Sequence, residues 1–177
     1  TGDLKGLKSG KNTGTPKLSS KHALKNGYIV GENVDLTGAD LKTEDLTDIS
    51  LKGANLKDVD MSEAILTNLK SGKITNGDNL QLPSGFVFSP MVNNVYGGSI
   101  VGPNVDLTDT YFQGVGDINF RNVDFTRTNL TNVTFDNIDL TNANFKDSIF
   151  KNVFLKQANL TDADLRETFI NKLKSYG

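Results

Sequence analysis

The apolar residues of this chain recur at every fifth position. One series comprises Leu36, Leu41, Leu46, Leu51, Leu56, Met61 and Leu66, and a second comprises Phe120, Phe125, Leu130, Phe135, Leu140, Phe145, Phe150, Leu155, Leu160, Leu165 and Ile170. On an α-helix a step of five residues turns by about 140° net, and on a straight strand an odd step alternates between faces. Neither element could bury such a series on one side, whereas a chain that turns a quarter circle every five residues can.

Four quarter turns close a coil of about 20 residues, and such coils stack at roughly the strand spacing of 4.8 Å. The period therefore predicts an all-β fold, a four-sided solenoid filled by the residue at the centre of each five-residue unit (position i). Position i−2 is mostly small or β-branched, which predicts that it also points inward. Position i−1 is mostly Asn or Asp, residues that tolerate turn geometry and bond to local backbone.

Several units carry a recognisable signature. Val59-Asp60-Met61-Ser62-Glu63, Ala143-Asn144-Phe145-Lys146-Asp147 and Ala158-Asn159-Leu160-Thr161-Asp162 resemble the A(D/N)LXX unit of the pentapeptide-repeat family. The resemblance covers residues 34–68 and 105–170. It implies a right-handed quadrilateral β-helix, here with irregular inserted coils or loops.

A longer repeat surrounds these units. Residues 4–10 (LKGLKSG) match residues 66–72 (LTNLKSG), and residues 28–37 match residues 99–108. The second copy is longer, which predicts a loop around residues 89–94. Residues 170–175 resemble the start of the repeat a third time, so we expect the chain to be part of a longer array. The alternative is a short amphipathic capping helix over residues 165–174.

These patterns predict one solenoid domain over residues 1–177. Its successive parts are an irregular module (1–33), a regular run (34–68), an irregular module with a loop (69–104), a second regular run (105–170) and a C-terminal end or cap (171–177). Glu44 occupies an inward i−2 position. Because burying an unpaired carboxylate is costly, we expect a local bulge or a solvent-open corner there.

Nothing in the composition points to catalysis. The chain has no Cys and a single histidine, His22, in a polar stretch where we expect it to be solvated. No phosphate-binding, dinucleotide or calcium loop is present. We therefore predict no enzyme activity, no cofactor and no metal site. No apolar run is long enough for membrane insertion.

Charge is distributed unevenly along the chain. Residues 1–30 carry six Lys and one Asp, whereas residues 31–66 carry nine acids and three Lys. Stacked coils could neutralise each other, or the acidic run could face a basic partner. Direct binding of nucleic acid is not expected, because there is neither a basic face nor an aromatic platform.

Three residues break the unit pattern near the C-terminal end. Ile149 and Phe169 occupy outward i−1 positions where Asn or Asp is expected, and Phe154 does so on the next face. An exposed apolar patch of this kind predicts an interface, through which the chain forms a homo-oligomer or stacks on neighbouring repeats. A covering C-terminal segment is the alternative.

The function that these observations favour is that of a non-catalytic structural or protein-interaction repeat module. Its partner would be another protein or the neighbouring repeats of a longer chain. The family resemblance implies one alternative, a DNA mimic that binds type II topoisomerases such as gyrase. Columns of threonine suggest another, an extracellular solenoid that binds a surface or glycan; Thr141 and Thr161 stack, but Arg121 interrupts their column.

Overall fold

The chain winds into stacked coils with four walls. The computed structural model describes residues 4–90, 97–113 and 120–175. In the first regular run, residues on adjacent coils pair at an offset of 20 residues on each wall: Asp35 with Asn55, Asp40 with Asp60, Asp45 with Ile65, and Ser50 with Lys70. All four pairs are parallel, and coils exchange main-chain bonds, as where the Leu41 N–H donates to the Asp60 carbonyl at 2.8 Å. The predicted quadrilateral β-helix is confirmed.

The extended strands are short. They are β1 (His22–Lys25), β2 (Tyr28–Gly31), β3 (Val87–Ser89), β4 (Ser99–Val101), β5 (Tyr111–Gln113), β6 (Thr134–Asp136), β7 (Ile149–Phe154) and β8 (Phe169–Lys174). β1 with β2 and β3 with β4 form antiparallel hairpins, whereas β5, β6, β7 and β8 form a parallel sheet in that order.

Each corner of a coil is a four-residue turn that begins at the central residue. The Ala39 N–H, for example, donates to the Leu36 carbonyl at 2.8 Å. The third residue of many turns has a left-handed φ, such as 57° at Asn142, which Asn, Asp and Gly tolerate best. The Asn or Asp at i−1 lies in the wall instead and accepts a local bond, as where Asp60 Oδ1 binds the Ser62 N–H at 2.9 Å. The prediction of local bonding at i−1 was right, but the turn geometry belongs to i+2.

The centre of the solenoid changes along its length from aliphatic to aromatic. Leucines and Met61 fill the first regular run, and phenylalanines dominate the second. Phe125 and Phe145 stack with their ring centroids 4.7 Å apart and their planes at 11°. Phe86 packs against both parts of the core and so connects them.

Glu44 lies at an open corner. Its side chain is half-buried, and its N–H makes the regular turn bond to the Leu41 carbonyl at 3.1 Å. The prediction of a solvent-open corner holds without a bulge.

The irregular modules are more than the inserted coils or loops that we expected, because each carries an antiparallel hairpin. In β1–β2, Lys25 pairs with Tyr28 across Asn26 and Gly27, whose φ values of 42° and 80° fit the two-residue turn favoured in hairpins. The walls resume afterwards, since Lys70 pairs with Asp106. The predicted loop around residues 89–94 lies mostly outside the described residues.

Both copies of the longer repeat make the same bonds. Ser9 Oγ accepts the Ile29 N–H at 2.6 Å, and Ser71 Oγ accepts the Ile100 N–H at 2.7 Å. Near the C-terminal end, Phe169–Lys174 forms strand β8 rather than a capping helix.

Candidate interaction surface at the C-terminal end

The exposed apolar surface is concentrated at one end of the solenoid. Within residues 4–90, 97–113 and 120–175, the large apolar side chains that are substantially exposed are Ile65, Val87, Ile149, Phe169, Ile170 and Leu173. Four of these six belong to β7 or β8, the last strands of the parallel sheet. A cluster of this kind is typical of an interaction surface rather than of scattered surface residues.

The three residues predicted from the pattern break do not all face the same way. Ile149 pairs directly with Phe169 on one wall, where they are 42% and 60% exposed. Phe154 lies further along β7, beyond the corner, and is half-buried. There it pairs with Lys174, whose Nζ lies 4.7 Å from the centroid of its ring. The structure therefore brings two of the three together and places the third on the neighbouring wall.

Sequence reasoning missed Ile170 and Leu173. The five-residue period assigns Ile170 to the inward series, yet it is 49% exposed and Leu173 is 43% exposed. They are open because no coil covers them among the described residues. No local signal in the five-residue pattern distinguishes these two residues from inward residues that a further coil covers.

Ion pairs border this apolar surface. The Arg166 guanidinium binds the Asp164 carboxylate through both oxygens, with Nη2 2.6 Å from Oδ2. This contact, with the Arg166 N–H that also donates to the carboxylate, lowers the pKa of Asp164 to about 2. Asp164 and Arg166 precede Phe169 by five and three residues, so this charged pair lies beside the apolar residues along the chain.

At the opposite end, the basic module faces the acidic run. Lys21 Nζ binds Glu32 Oε2 at 2.7 Å, and this hydrogen bond lowers the pKa of Glu32. The charge of Lys8 similarly helps to lower the pKa of Asp35, after the larger effect of its bond from Thr37. The two oppositely charged segments thus partly neutralise each other within the fold.

The histidine has a structural place. His22 was expected to be solvated, but it is half-buried in β1, with Nδ1 2.8 Å from Ser19 Oγ and Nε2 3.1 Å from the Glu32 carbonyl. Both ring nitrogens are engaged, so the ring fastens the hairpin to its flanks. In the described part of the chain, no group of His, Asp and Glu side chains is arranged to hold a metal ion.

Thr128, Ser148 and Thr168 occupy inward i−2 positions 20 residues apart, and this column of hydroxyls is mostly bonded to backbone. Thr128 Oγ1 donates to the Gly102 carbonyl at 3.0 Å, and Thr168 Oγ1 donates to the Phe145 carbonyl at 2.9 Å. Ser148 Oγ, which lies between them in the column, is buried without a partner among the described residues. The column accordingly serves packing and backbone satisfaction, and it presents no hydroxyl outward.

The repeat itself identifies the chain. The sequence profile described as "Pentapeptide repeats" matches eight copies, over residues 32–68, 116–142 and 138–172, which together make up more than half of the chain. The chain belongs to the pentapeptide-repeat family. This pentapeptide-repeat protein has the right-handed quadrilateral β-helix of the family, whose members are generally non-catalytic repeat proteins.

Solved structures similar to this pentapeptide-repeat chain include three named proteins. Rfr23, from the cyanobacterium Cyanothece 51142, is 19% identical, with 72% of this chain and 60% of that one aligned at a TM-score of 0.31. HetL, from the cyanobacterium Nostoc sp. strain PCC 7120 and involved in heterocyst differentiation regulation, is 21% identical, with 79% of this chain and 61% of HetL aligned at a TM-score of 0.25. QnrB1, a plasmid-mediated fluoroquinolone resistance protein, is 18% identical, with 81% of this chain and 79% of QnrB1 aligned at a TM-score of 0.26.

This chain thus spans about three fifths of the length of Rfr23 and of HetL. No curated protein matches it significantly. Within the described ranges, no helix is long and apolar enough to cross a membrane.

Proposed function

We propose that this pentapeptide-repeat chain is a non-catalytic structural module that acts as one continuous rod and binds a protein partner through its C-terminal end. The observation that carries the proposal is the clustering of exposed Ile149, Phe169, Ile170 and Leu173 on β7 and β8. Burying a fully exposed apolar side chain contributes about 1.5–3 kcal/mol, and these four are about half exposed, so covering each contributes about half of that. Together the four side chains provide the apolar centre of a protein contact.

The rest of the described surface supports a binding role over a chemical one. Cavities of about 90, 290 and 330 Å³ indent this surface. The smallest is lined by Lys52, Lys73, Asp109 and Tyr111 among others, and the largest by Lys5 and Asp35 among others. The single histidine, His22, lines none of the three, and both of its ring nitrogens are engaged at β1.

The DNA-mimic alternative requires a strongly acidic surface. The Lys21–Glu32 and Arg121–Asp139 ion pairs, at 2.7 and 2.8 Å, counter the acidic residues on two different coils. This neutralisation favours the protein-interaction role. A gyrase supercoiling assay separates the two readings, because only a DNA mimic is expected to inhibit the enzyme at low protein concentration.

The interface is tested by the double substitution Ile149→Asp, Phe169→Asp. Both side chains point outward, so we expect the fold to survive and self-association to weaken, measured by sedimentation equilibrium and by the dependence of Tm on protein concentration. Ile65→Asp is the matched control, because Ile65 is equally exposed on a wall far from this end. If the double variant changes neither oligomeric state nor Tm, the proposed interface is wrong.

A further inference from the structure

The C-terminal coil repeats the sequence of an internal coil that another part of the chain covers. Residues 158–175 read ANLTDADLRETFINKLKS, and residues 54–71 read ANLKDVDMSEAILTNLKS. Half of the aligned positions are identical, including the final Leu-Lys-Ser. The internal coil is covered by the irregular module that follows it, so its contacts show what a coil of this sequence binds.

The covering module adds a layer of main-chain bonds to residues 54–71. The Ala54 carbonyl accepts the Thr75 N–H at 2.9 Å, and the Val59 carbonyl accepts the Gln81 N–H at 2.9 Å. Near the end of that coil, the Leu69 carbonyl accepts a bond of 2.9 Å from the Asp106 N–H, while the Ser71 N–H donates back to Asp106 at 3.0 Å; Ile100 binds the Ser71 hydroxyl. Under this cover, Leu66 and Leu69 are at most 2% exposed.

The equivalent groups of the C-terminal coil are open among the described residues. The carbonyls of Ala158 and Ala163 correspond to those of Ala54 and Val59, and no main-chain N–H of the described residues donates to them. Leu173, which corresponds to Leu69, lies in β8, and β8 pairs with β7 alone among the described strands. Ile170 and Leu173 are about half exposed where Leu66 and Leu69 are buried. Within the described residues, this coil therefore lacks the cover that the internal coil has and leaves a sheet edge unpaired.

The same molecule carries a matching module at its other end. Residues 10–13 (GKNT) align with residues 72–75 (GKIT), and residues 28–37 align with residues 99–108. The outer edge of this first module is exposed from Gly10 to Lys17. Among the described residues, residues 4–9 lie beneath this module and make the bonds that residues 66–71 make in the second copy: the Leu7 carbonyl accepts the Asp35 N–H at 2.8 Å, and the Ser9 N–H donates back to the Asp35 carbonyl at 2.8 Å.

We propose that the C-terminal coil, residues 158–175, binds the irregular N-terminal module, residues 10–37, of a second copy of this chain. Residues 170–175 of the first copy take the place of residues 4–9 of the second, which are released. This inference rests on the proposed function, because it specifies the partner and geometry of the same C-terminal end. The exchange replaces a short strand by a complete coil with the same local sequence.

The walls of the two copies continue in register. Lys8, Asp35, Asn55 and Asn76 stack on one wall. Ser50 and Asp106 share another wall, through Lys70. Asn55 lies one five-residue unit after Ser50, and Tyr111 lies one unit after Asp106, so Asn55 and Tyr111 share the next wall. On that wall, Tyr111 is followed by Thr134, Phe154 and Lys174. Lys174 therefore lies on the wall of Lys8, the residue that it replaces. Contacts of this head-to-tail kind do not close, so successive copies extend into a straight rod.

The test uses two variants of the full chain, each blocked at one end. Leu173→Asp places a charge on the C-terminal coil. Thr13→Pro removes an N–H of the N-terminal module; this N–H is equivalent to that of Thr75, which binds the Ala54 carbonyl in the internal copy. We expect the parent chain to form oligomers whose length grows with concentration in sedimentation velocity. Each variant alone should associate at least about tenfold more weakly, because Leu173→Asp loses one buried leucine and Thr13→Pro leaves a buried carbonyl without its hydrogen bond. Circular dichroism and Tm of the dilute monomers check that both fold.

Mixing the variants identifies the geometry. Leu173→Asp keeps a free module and Thr13→Pro keeps a free coil, so a head-to-tail contact yields a dimer that contains one of each and grows no further. A contact between two C-terminal ends would give no such restoration. That result overturns the inference while leaving the proposed protein-interaction role intact. A parent chain that stays monomeric at every concentration overturns it as well.

A third variant tests the exchange itself. Leu7→Asp weakens the hold of residues 4–9, so we expect it to raise association above that of the parent chain, in the opposite direction to Leu173→Asp. Ile65→Asp is again the control and should change nothing. If Leu7→Asp leaves association unchanged or lowers it, residues 4–9 are not exchanged and the proposal is wrong.

Discussion

At the scale of single residues, the corner turn sets the strongest demand. Gln157 has a φ of 54°, a left-handed conformation that costs an ordinary L-residue about 1–2 kcal/mol. Glycine avoids that cost but gains about 0.5–1 kcal/mol of entropy in the unfolded chain. Gln157→Gly should therefore stabilise the protein by about 0.5–1 kcal/mol, measured from urea unfolding midpoints.

The neighbouring residue provides the control. Lys156 precedes Gln157 in the same turn and does not have a left-handed φ. Lys156→Gly is expected to destabilise the protein by about 0.5–1 kcal/mol, because only the entropic effect remains. Equal effects of the two substitutions would show that the backbone at Gln157 is not under this constraint.

Asp139 gives a prediction about acid. Bonds from the Thr141 hydroxyl and amide, followed by Arg121, lower its pKa from 3.8 to about 2. The ionised form is thus favoured by folding, and this contribution is present above about pH 4 and lost as the pH falls from 4 towards 2. Asp139→Asn should flatten the fall of Tm in that window. A carboxyl titration by NMR with a midpoint near 3.8 would contradict the assignment.

At the scale of the five-residue element, the inward and outward positions differ in cost. Phe145 is fully buried and stacks on Phe125, so Phe145→Ala should destabilise the protein by about 3–5 kcal/mol. Asn144, one residue earlier, bonds the Lys146 N–H at 3.1 Å and Thr126 Oγ1 at 2.9 Å. Asn144→Ala should cost only about 1 kcal/mol. Chemical denaturation measures both, and similar values would invalidate the assignment of positions.

At this scale the sequence predicts which side chains of each unit point inward, but it does not predict the two hairpins. The period places Leu41 and Phe145 inside because each unit repeats the same local geometry. The hairpins were not predicted, since β3 and β4 pair across residues that do not repeat, and such pairing depends on register rather than on composition. Asn26-Gly27 is a dipeptide typical of a two-residue hairpin turn, but it does not by itself indicate the strands on either side.

At the scale of the whole molecule, the interface stays a prediction, and the structure gives only the positions of the residues predicted to form it. Ile149 and Phe169 stand out in the sequence because they replace Asn or Asp, and the structure places them side by side. Ile170 and Leu173 could not be found in that way. Their exposure depends on the absence of a covering coil among the described residues, and no local pattern encodes that absence.

The second irregular module lengthens the chain but keeps later residues on their walls. Asp106 follows Lys70 by 36 residues on the same wall, whereas a regular coil returns to a wall after 20. The longer path between them includes strands β3 and β4, and it leaves later residues on the walls that the five-residue period assigns to them. Adding or removing a single five-residue unit would instead swing everything downstream by a quarter revolution. We thus expect changes in length to be tolerated in the hairpins but not in the five-residue units, because only the units determine the direction in which later side chains point.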